Sequence, residues 1–391
     1  MKRILYLHAG AELYGADKVL RDLIKGLDKI EFEAHVILPS DGPLVEELRK
    51  VGAKVSILDY PILRRKYFNF KGIIDYVTSY IKYAKKLVKY AQDNHIDIIH
   101  NNTTAVLEGI YIKRKLDIPL IWHVHEIIVK PKFISDFINM TMGKYADKVI
   151  TVSNAVLSHV KKSSFISDDQ IKVIYNGVDS DFYKESSQSD KQRIREKFEI
   201  PSNAKVVGMI GRVNAWKGQK DLLASTEPLL AKYPDLYIIL VGGVFAGEEW
   251  RMKELREQIK SSNYSERIIL KDFQKDTVSV YNLLDIFVLP STNPDPLPTV
   301  VLEAMATAKP VVGYAHGGVC EMVKEGYNGL LAEVRNPEDL SQKIDILLKD
   351  DSLKKEMSMH SRQRLVKQFS MKAYIQNFSD EYKNCLKDKN G

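Results

Sequence analysis

The 391-residue chain is 45% apolar and 28% charged, the balance of a globular protein rather than a disordered or membrane-spanning one, and its length favours two domains over one core. A net charge of +7 is modest and, with no matching motif, argues against nucleic acid as a partner. Cys320 and Cys385 stand far apart, giving neither a metal-ligand spacing nor a disulfide framework, so a reducing compartment is expected.

The chain opens Met1-Lys2-Arg3 and then Ile4–Leu7, an apolar run too short for a signal-peptide core or a membrane span. It reads as a first strand, and a cytoplasmic protein is expected. Further strands are predicted at Ala34–Leu38, Lys54–Leu58, Ile98–His100, Leu120–Val124, Lys148–Val152 and Lys172–Tyr175, with helices between them. Ala16–Leu27 follows a glycine-containing turn. In Gly72–Ala91, residues Ile73, Ile74, Val77, Tyr80, Ile81, Ala84, Leu87, Val88 and Ala91 fall at helical spacing. Residues 1–185 hold 28 Lys+Arg against 23 Asp+Glu, or +5, and the remainder holds 30 against 28, or +2. Between Arg64 and Lys89 lie eight basic residues and a single acid, Asp75.

The polar stretch from Glu185 to Asp190 reads as a connection. A helix over Lys191–Glu199 follows. A second strand series is predicted at Val206–Ile210, Tyr237–Val241, Ile268–Leu270, Ile286–Leu289, Pro310–Gly313 and Gly329–Ala332. Three helices, Pro337–Lys349, Ser352–Gln368 and Met371–Lys387, end the chain. Alternating strands and helices imply parallel sheets, whose ligands gather at the strand carboxyl ends.

Two stretches carry chemistry. In Gly211-Arg212-Val213-Asn214-Ala215-Trp216-Lys217-Gly218, a strand runs into a guanidinium and then an ammonium, a pair suited to a diphosphate. In the second, a strand ends in a Pro-rich turn carrying Asp295, and a helix begins at Pro298. The amides of Thr299 and Val300 then make an anion site at the helix start. Asp295 and Glu303, with seven residues between them, can both border one pocket, and a carboxylate in this setting suits ribose hydroxyls.

Together these motifs resemble the retaining glycosyltransferases of family 4, with Gly317-Gly318-Val319-Cys320-Glu321 and Gly326-Tyr327-Asn328-Gly329 completing the set. The first half is similar more loosely, at Leu13-Tyr14-Gly15-Ala16-Asp17, at Pro119 to Glu126, at Thr151–Ala155 and at Asn176–Asp179. The resemblance implies a GT-B fold, two doubly wound Rossmann-like domains facing across a deep cleft. Residues 1–185 would bind the acceptor and 186–370 the nucleotide sugar, with a final helix of about 371–391 packing back on the first domain. It implies His125, Asp295, Arg212 and Lys217 as catalytic residues. Gly15, Phe273, Leu297, Thr299, Val300 and Glu303 would bind the donor, and His123 and Glu126 lie on the acceptor side. The stretch Phe273-Gln274-Lys275 would frame the nucleobase.

No metal and no cofactor is implied, the donor being a UDP- or GDP-sugar used as substrate. The acceptor would be a sugar or lipid-linked glycan, met on an anionic membrane surface by the basic stretch Arg64–Lys89. Two departures stand out: Asp295 is a methylene shorter than the family's Glu, and Pro298 replaces a common Gly. Asp179-Ser180-Asp181 spells a metal-site string but follows Asn176-Gly177 and reads as a turn. A dehydrogenase is excluded by glycine spacing at His8–Gly15. A nucleotide-sugar epimerase and a non-catalytic adaptor are the competing readings.

Overall fold

The computed structural model describes residues 1–387. It divides into two compact units, Met1–Gly177 together with the stretch from Met371, and Val178–Ser370. The boundary falls before Val178 rather than at residue 185. The reason is local bonding: the Val178 amide donates to the Phe369 carbonyl at 3.1 Å, and Arg362 donates to the carbonyls of Ser180 and Tyr183. Residues 178–185 are thus tied to the second unit. Asp179 closes a turn, its Oδ1 accepting from the amides of Asp181 and Phe182.

The first unit is built on a parallel sheet of β1 (Lys2–Leu7), β2 (Phe32–Leu38), β3 (Lys54–Ile57), β4 (Ile98–Asn101), β5 (Leu120–Val124), β6 (Lys148–Thr151) and β7 (Ile171–Val173), in the order β3-β2-β1-β4-β5-β6-β7. Continuous apolar runs such as Ile4–Leu7 form its centre, because helices cover both faces of such a sheet. Ile4 pairs with Ala34 on one side and Ile98 on the other. The order reverses between β1 and β4, so their carboxyl ends flank the crevice where ligands of doubly wound sheets bind. The helix Met371–Lys387 returns to this unit and buries Tyr374, Phe378, Tyr382 and Cys385 in its core. The expected continuation to residue 391 lies outside the described residues.

The second unit has a parallel sheet of β8 (Lys205–Ile210), β9 (Leu236–Val241), β10 (Ile268–Lys271), β11 (Ile286–Leu289), β12 (Val311–Tyr314) and β13 (Gly329–Ala332), ordered β10-β9-β8-β11-β12-β13. Its reversal lies between β8 and β11. The two motif-bearing loops, after Ile210 and after Leu289, therefore emerge side by side.

The helix Phe70–Asp93 differs from the simple expectation. Tyr76, Ala84, Leu87 and Ala91 are buried, but Phe70, Ile73, Ile74, Val77 and Ile81 are exposed. Most apolar positions of its first half face away from the core, Tyr76 excepted.

Glu108 opens the helix Glu108–Leu116 and is fully buried. Its Oε2 accepts from the Leu107 amide at 3.1 Å, and burial pushes its carboxyl up to about 8. The folded state therefore keeps this proton when the unfolded chain has lost it, and stability falls as pH rises from the ordinary carboxyl range to about 8. Glu108→Gln is expected to flatten that fall, read as urea midpoints at pH 5 and pH 8.

Candidate active site

In the second unit, β8 ends at Ile210 and delivers Gly211 and Arg212. The Arg212 guanidinium stacks on Phe245, 3.5 Å from the ring centre, which fixes a long side chain at a strand end. Asn214 Oδ1 accepts from the amides of Trp216 and Lys217 at 3.0 and 2.9 Å, curling the loop. Gly218 then takes a φ of +84°, and a Cβ there would overlap the Pro290 carbonyl. Only glycine lets this loop close on the one after β11.

That closure brings Lys217 to Asp295: Nζ donates to Oδ1 at 2.8 Å, with side chains 17% and 10% exposed. The Ser291 hydroxyl donates to the other oxygen, Oδ2. The Asp295 carbonyl accepts from the Gly318 amide at 2.8 Å. Gly317 has a φ of +59°, and a Cβ on it would press on that same carbonyl. The glycine pair is thus the surface against which the Asp295 turn is moulded.

Pro298 sits one position earlier than a first helical residue, as the N-cap of the helix Thr299–Ala306. Among the described residues the amides of Thr299 and Val300 make no hydrogen bond, so they are open to an anion. Glu303 is 3% exposed, and the Tyr281 hydroxyl donates to its Oε2 at 2.9 Å. Leu297 is buried, while Phe273 is half exposed. Arg212, Lys217, Asp295, the helix start and Glu303 therefore all belong to the β8 and β11 ends.

The first unit holds a hydrogen-bonded chain at the β1, β4 and β5 ends. Gly15 starts the helix Gly15–Gly26. Asp17 accepts from the Tyr14 amide at 2.7 Å and pairs with His8 Nε2 at 2.6 Å. Asn102 Nδ2 meets His8 Nδ1 at 3.0 Å. Asn102 Oδ1 lies 3.2 Å from both His123 Nδ1 and His125 Nε2. An amide oxygen only accepts, so both histidines donate to it, which sets the neutral His125 tautomer with Nδ1 as its lone-pair nitrogen. Burial, together with His8 and His100, holds His125 down to about 3, so it is neutral at pH 7.

His123 is fully buried, with its ring 4.8 Å from Phe378. It supports His125 from behind and is not open to an acceptor. Glu126 is likewise engaged, accepting from both hydroxyls of Thr103 and Thr104 and from the amides of Thr104 and His125. His123 is thus enclosed within the sheet, and Glu126, half-buried, ties the loop after β5 to Thr103 and Thr104. Sequence reading missed His8, Asp17, Asn102, Ser291, Phe245 and Tyr281. Ser291, Asp17 and His8 stood within stretches already noted; Asn102, Phe245 and Tyr281 signal nothing until the chain is folded.

Two doubly wound parallel sheets with this loop chemistry define a GT-B glycosyltransferase fold. Residues 14–182 match the family described as Glycosyltransferase Family 4, and residues 190–364 match Glycosyl transferases group 1. The chain belongs to glycosyltransferase family 4. The Anabaena protein HepE, solved with UDP-glucose, is similar at a TM-score of 0.85 and 26% identity, over 98% of this chain and 100% of that one. The D-inositol 3-phosphate glycosyltransferase of Corynebacterium urealyticum is 30% identical over 222 residues, 56% of this chain and 52% of that protein. The capsular polysaccharide biosynthesis glycosyltransferase CapM of Staphylococcus aureus is 24% identical over 252 residues, 63% of this chain and 64% of that protein. The matched stretches thus span between about half and two thirds of these two curated relatives.

Proposed function

We propose that the protein transfers a sugar, with retention and without a metal, from a nucleoside diphosphate sugar to a growing polysaccharide or lipid-linked glycan. The observation that carries this reading is the Lys217–Asp295 pair at 2.8 Å, joining the loops after β8 and β11. An ammonium has three donors. With one on Asp295, two remain for a departing diphosphate, beside the Arg212 guanidinium and the amides of Thr299 and Val300. Oriented donors of this kind are worth roughly a factor of 10² to 10³ each. Asp295 would hold the sugar hydroxyls, and Glu303 the ribose. HepE, solved with UDP-glucose, makes a UDP-sugar the first donor to test, and CapM, named for capsular polysaccharide, supports a cell-surface glycan product.

Calorimetric titration with UDP, GDP, dTDP, CDP and ADP in metal-free buffer tests the donor site. UDP is expected to bind wild type and to be lost with Lys217→Ala. No binding by any nucleotide would favour the adaptor reading instead.

The membrane side of the proposal rests on the exposed positions 70, 73, 74, 77 and 81, which form one helical stripe beside Lys71, Lys82 and Lys85. Such a stripe flanked by lysines suits an anionic lipid surface. Among the described residues no helix is long and apolar enough to cross a membrane. The protein is expected to sediment with phosphatidylglycerol liposomes at low salt, and Ile74→Glu with Val77→Glu to weaken this at least about ten-fold. Equal sedimentation of both proteins would remove the helix from the interface.

A further inference from the structure

At the opposite edge of the second sheet lies a cavity of about 810 Å³. Leu284 and Asp285 immediately precede β11, and Ala308 and Lys309 lie just before Pro310 and β12. The cavity therefore sits at the strand amino ends, whereas Arg212, Ser291 and Asp295 follow the carboxyl ends. It is separate from the site described above.

Its lining is strongly cationic. Lys191, Lys309, Lys354, Lys355, Arg362 and Lys367 face two carboxylates, Glu185 and Asp285. Both acids are already compensated. Glu185 pairs with Lys191 at 2.6 Å. Asp285 accepts from the Val206 amide at 2.7 Å and stands 3.9 Å from Arg195. Lys309 is different. It is 6% exposed, and among the described residues its ammonium has no hydrogen bond or ion pair. Its stem is buried, while the ammonium opens into the cavity and keeps contact with solvent. Burial, with Lys191 nearby, holds it down to about 8. The charged groups acting on it from the surrounding elements are Lys191, Arg195, Glu185 and Asp285. Leu284, Met359 and Val366 add an apolar wall. The volume is in the range of small-molecule sites and exceeds what a bare phosphate fills.

We propose that this cavity is a second anion site, taking a phosphorylated small molecule of about sugar-phosphate size, with its phosphate on Lys309 and the rim lysines and its body against Leu284 and Met359. The phosphate adds negative charge beside Lys309, where Glu185 and Asp285 are already engaged with Lys191 and the Val206 amide. An anion there favours the ammonium form, so binding takes up a proton at pH 8 and less at pH 6.

The test is calorimetry on the full chain with ribose 5-phosphate, and with ribose as the uncharged control. Ribose 5-phosphate is expected to bind wild type and Lys217→Ala alike, with proton uptake at pH 8 revealed by buffers of different ionisation enthalpy. Lys309→Met is expected to lose this binding at least ten-fold while keeping UDP affinity. Lys355→Glu with Lys367→Glu, two exposed rim changes that spare the core, is expected to weaken binding in the same direction. Loss of ribose 5-phosphate binding in Lys217→Ala would place the ligand at the carboxyl-end site and overturn the proposal. Unchanged binding in Lys309→Met, or binding of ribose as strong as its phosphate, would also overturn it. Capture of phosphatidic acid vesicles with no binding of ribose 5-phosphate would overturn the small-molecule assignment.

Discussion

Lys217→Ala is expected to lower turnover at least about 100-fold, the scale for one lost electrostatic donor to a leaving group, and to lower stability as well. The stability loss has a separate cause. Removing the ammonium leaves the Asp295 carboxylate, 10% exposed, with the Ser291 hydroxyl as its remaining side-chain donor. Breaking a fully buried pair costs about 3–5 kcal/mol, and exposed pairs are worth about 0–1. This partly exposed pair should fall between, at roughly 2 kcal/mol. The double variant Lys217→Ala with Asp295→Ala removes the orphaned charge, so it is expected to regain most of the melting temperature and none of the turnover. Steady-state rates and urea midpoints on the three proteins separate the effects. If turnover returned together with stability, Lys217 would be a structural residue and the donor assignment would fall.

Glu303→Ala is expected to cost turnover on the same scale, at least about 100-fold, through lost donor binding rather than lost fold. Glu303 lies inside the helix Thr299–Ala306, buried, with the Tyr281 hydroxyl on Oε2 at 2.9 Å. That hydroxyl also donates to the Val300 carbonyl at 3.1 Å, so Tyr281 joins the carboxylate to the helix start. Tyr281→Phe keeps the carboxylate and is expected to cost about 1 kcal/mol of stability with turnover within about ten-fold of wild type. A KM rise in Glu303→Ala larger than in Tyr281→Phe would assign Glu303 to the nucleotide. Equal kinetics in the two variants would make Glu303 a packing residue instead.

Much of this was legible in the linear chain. The strand runs and the two motif stretches need only local information: a buried parallel strand is continuously apolar, and a loop at its carboxyl end carries its polar residues in sequence. Arg212, Lys217, Asp295, Thr299 and Glu303 could be named together for that reason. What they do to one another could not. The Lys217–Asp295 pair joins residues on different loops, and its closeness depends on β8 lying beside β11 and on Gly218 passing the Pro290 carbonyl. The chain from Asp17 through His8 and Asn102 to His125 likewise needs β1, β4 and β5 side by side.

Helical spacing identified the apolar positions of Phe70–Asp93 but not which of them the core would take, since periodicity fixes a face and not its partner. The burial of His123 and the engagement of Glu126 were hidden in the same way. Lys309 carried no signal in the linear chain, and its buried stem is a product of the fold. The linear chain was enough for the family resemblance and for the residues that gather at the strand carboxyl ends. Only the tertiary structure decided which charges meet, which remain alone and which apolar faces stay uncovered, because those depend on separations in space that no local pattern records.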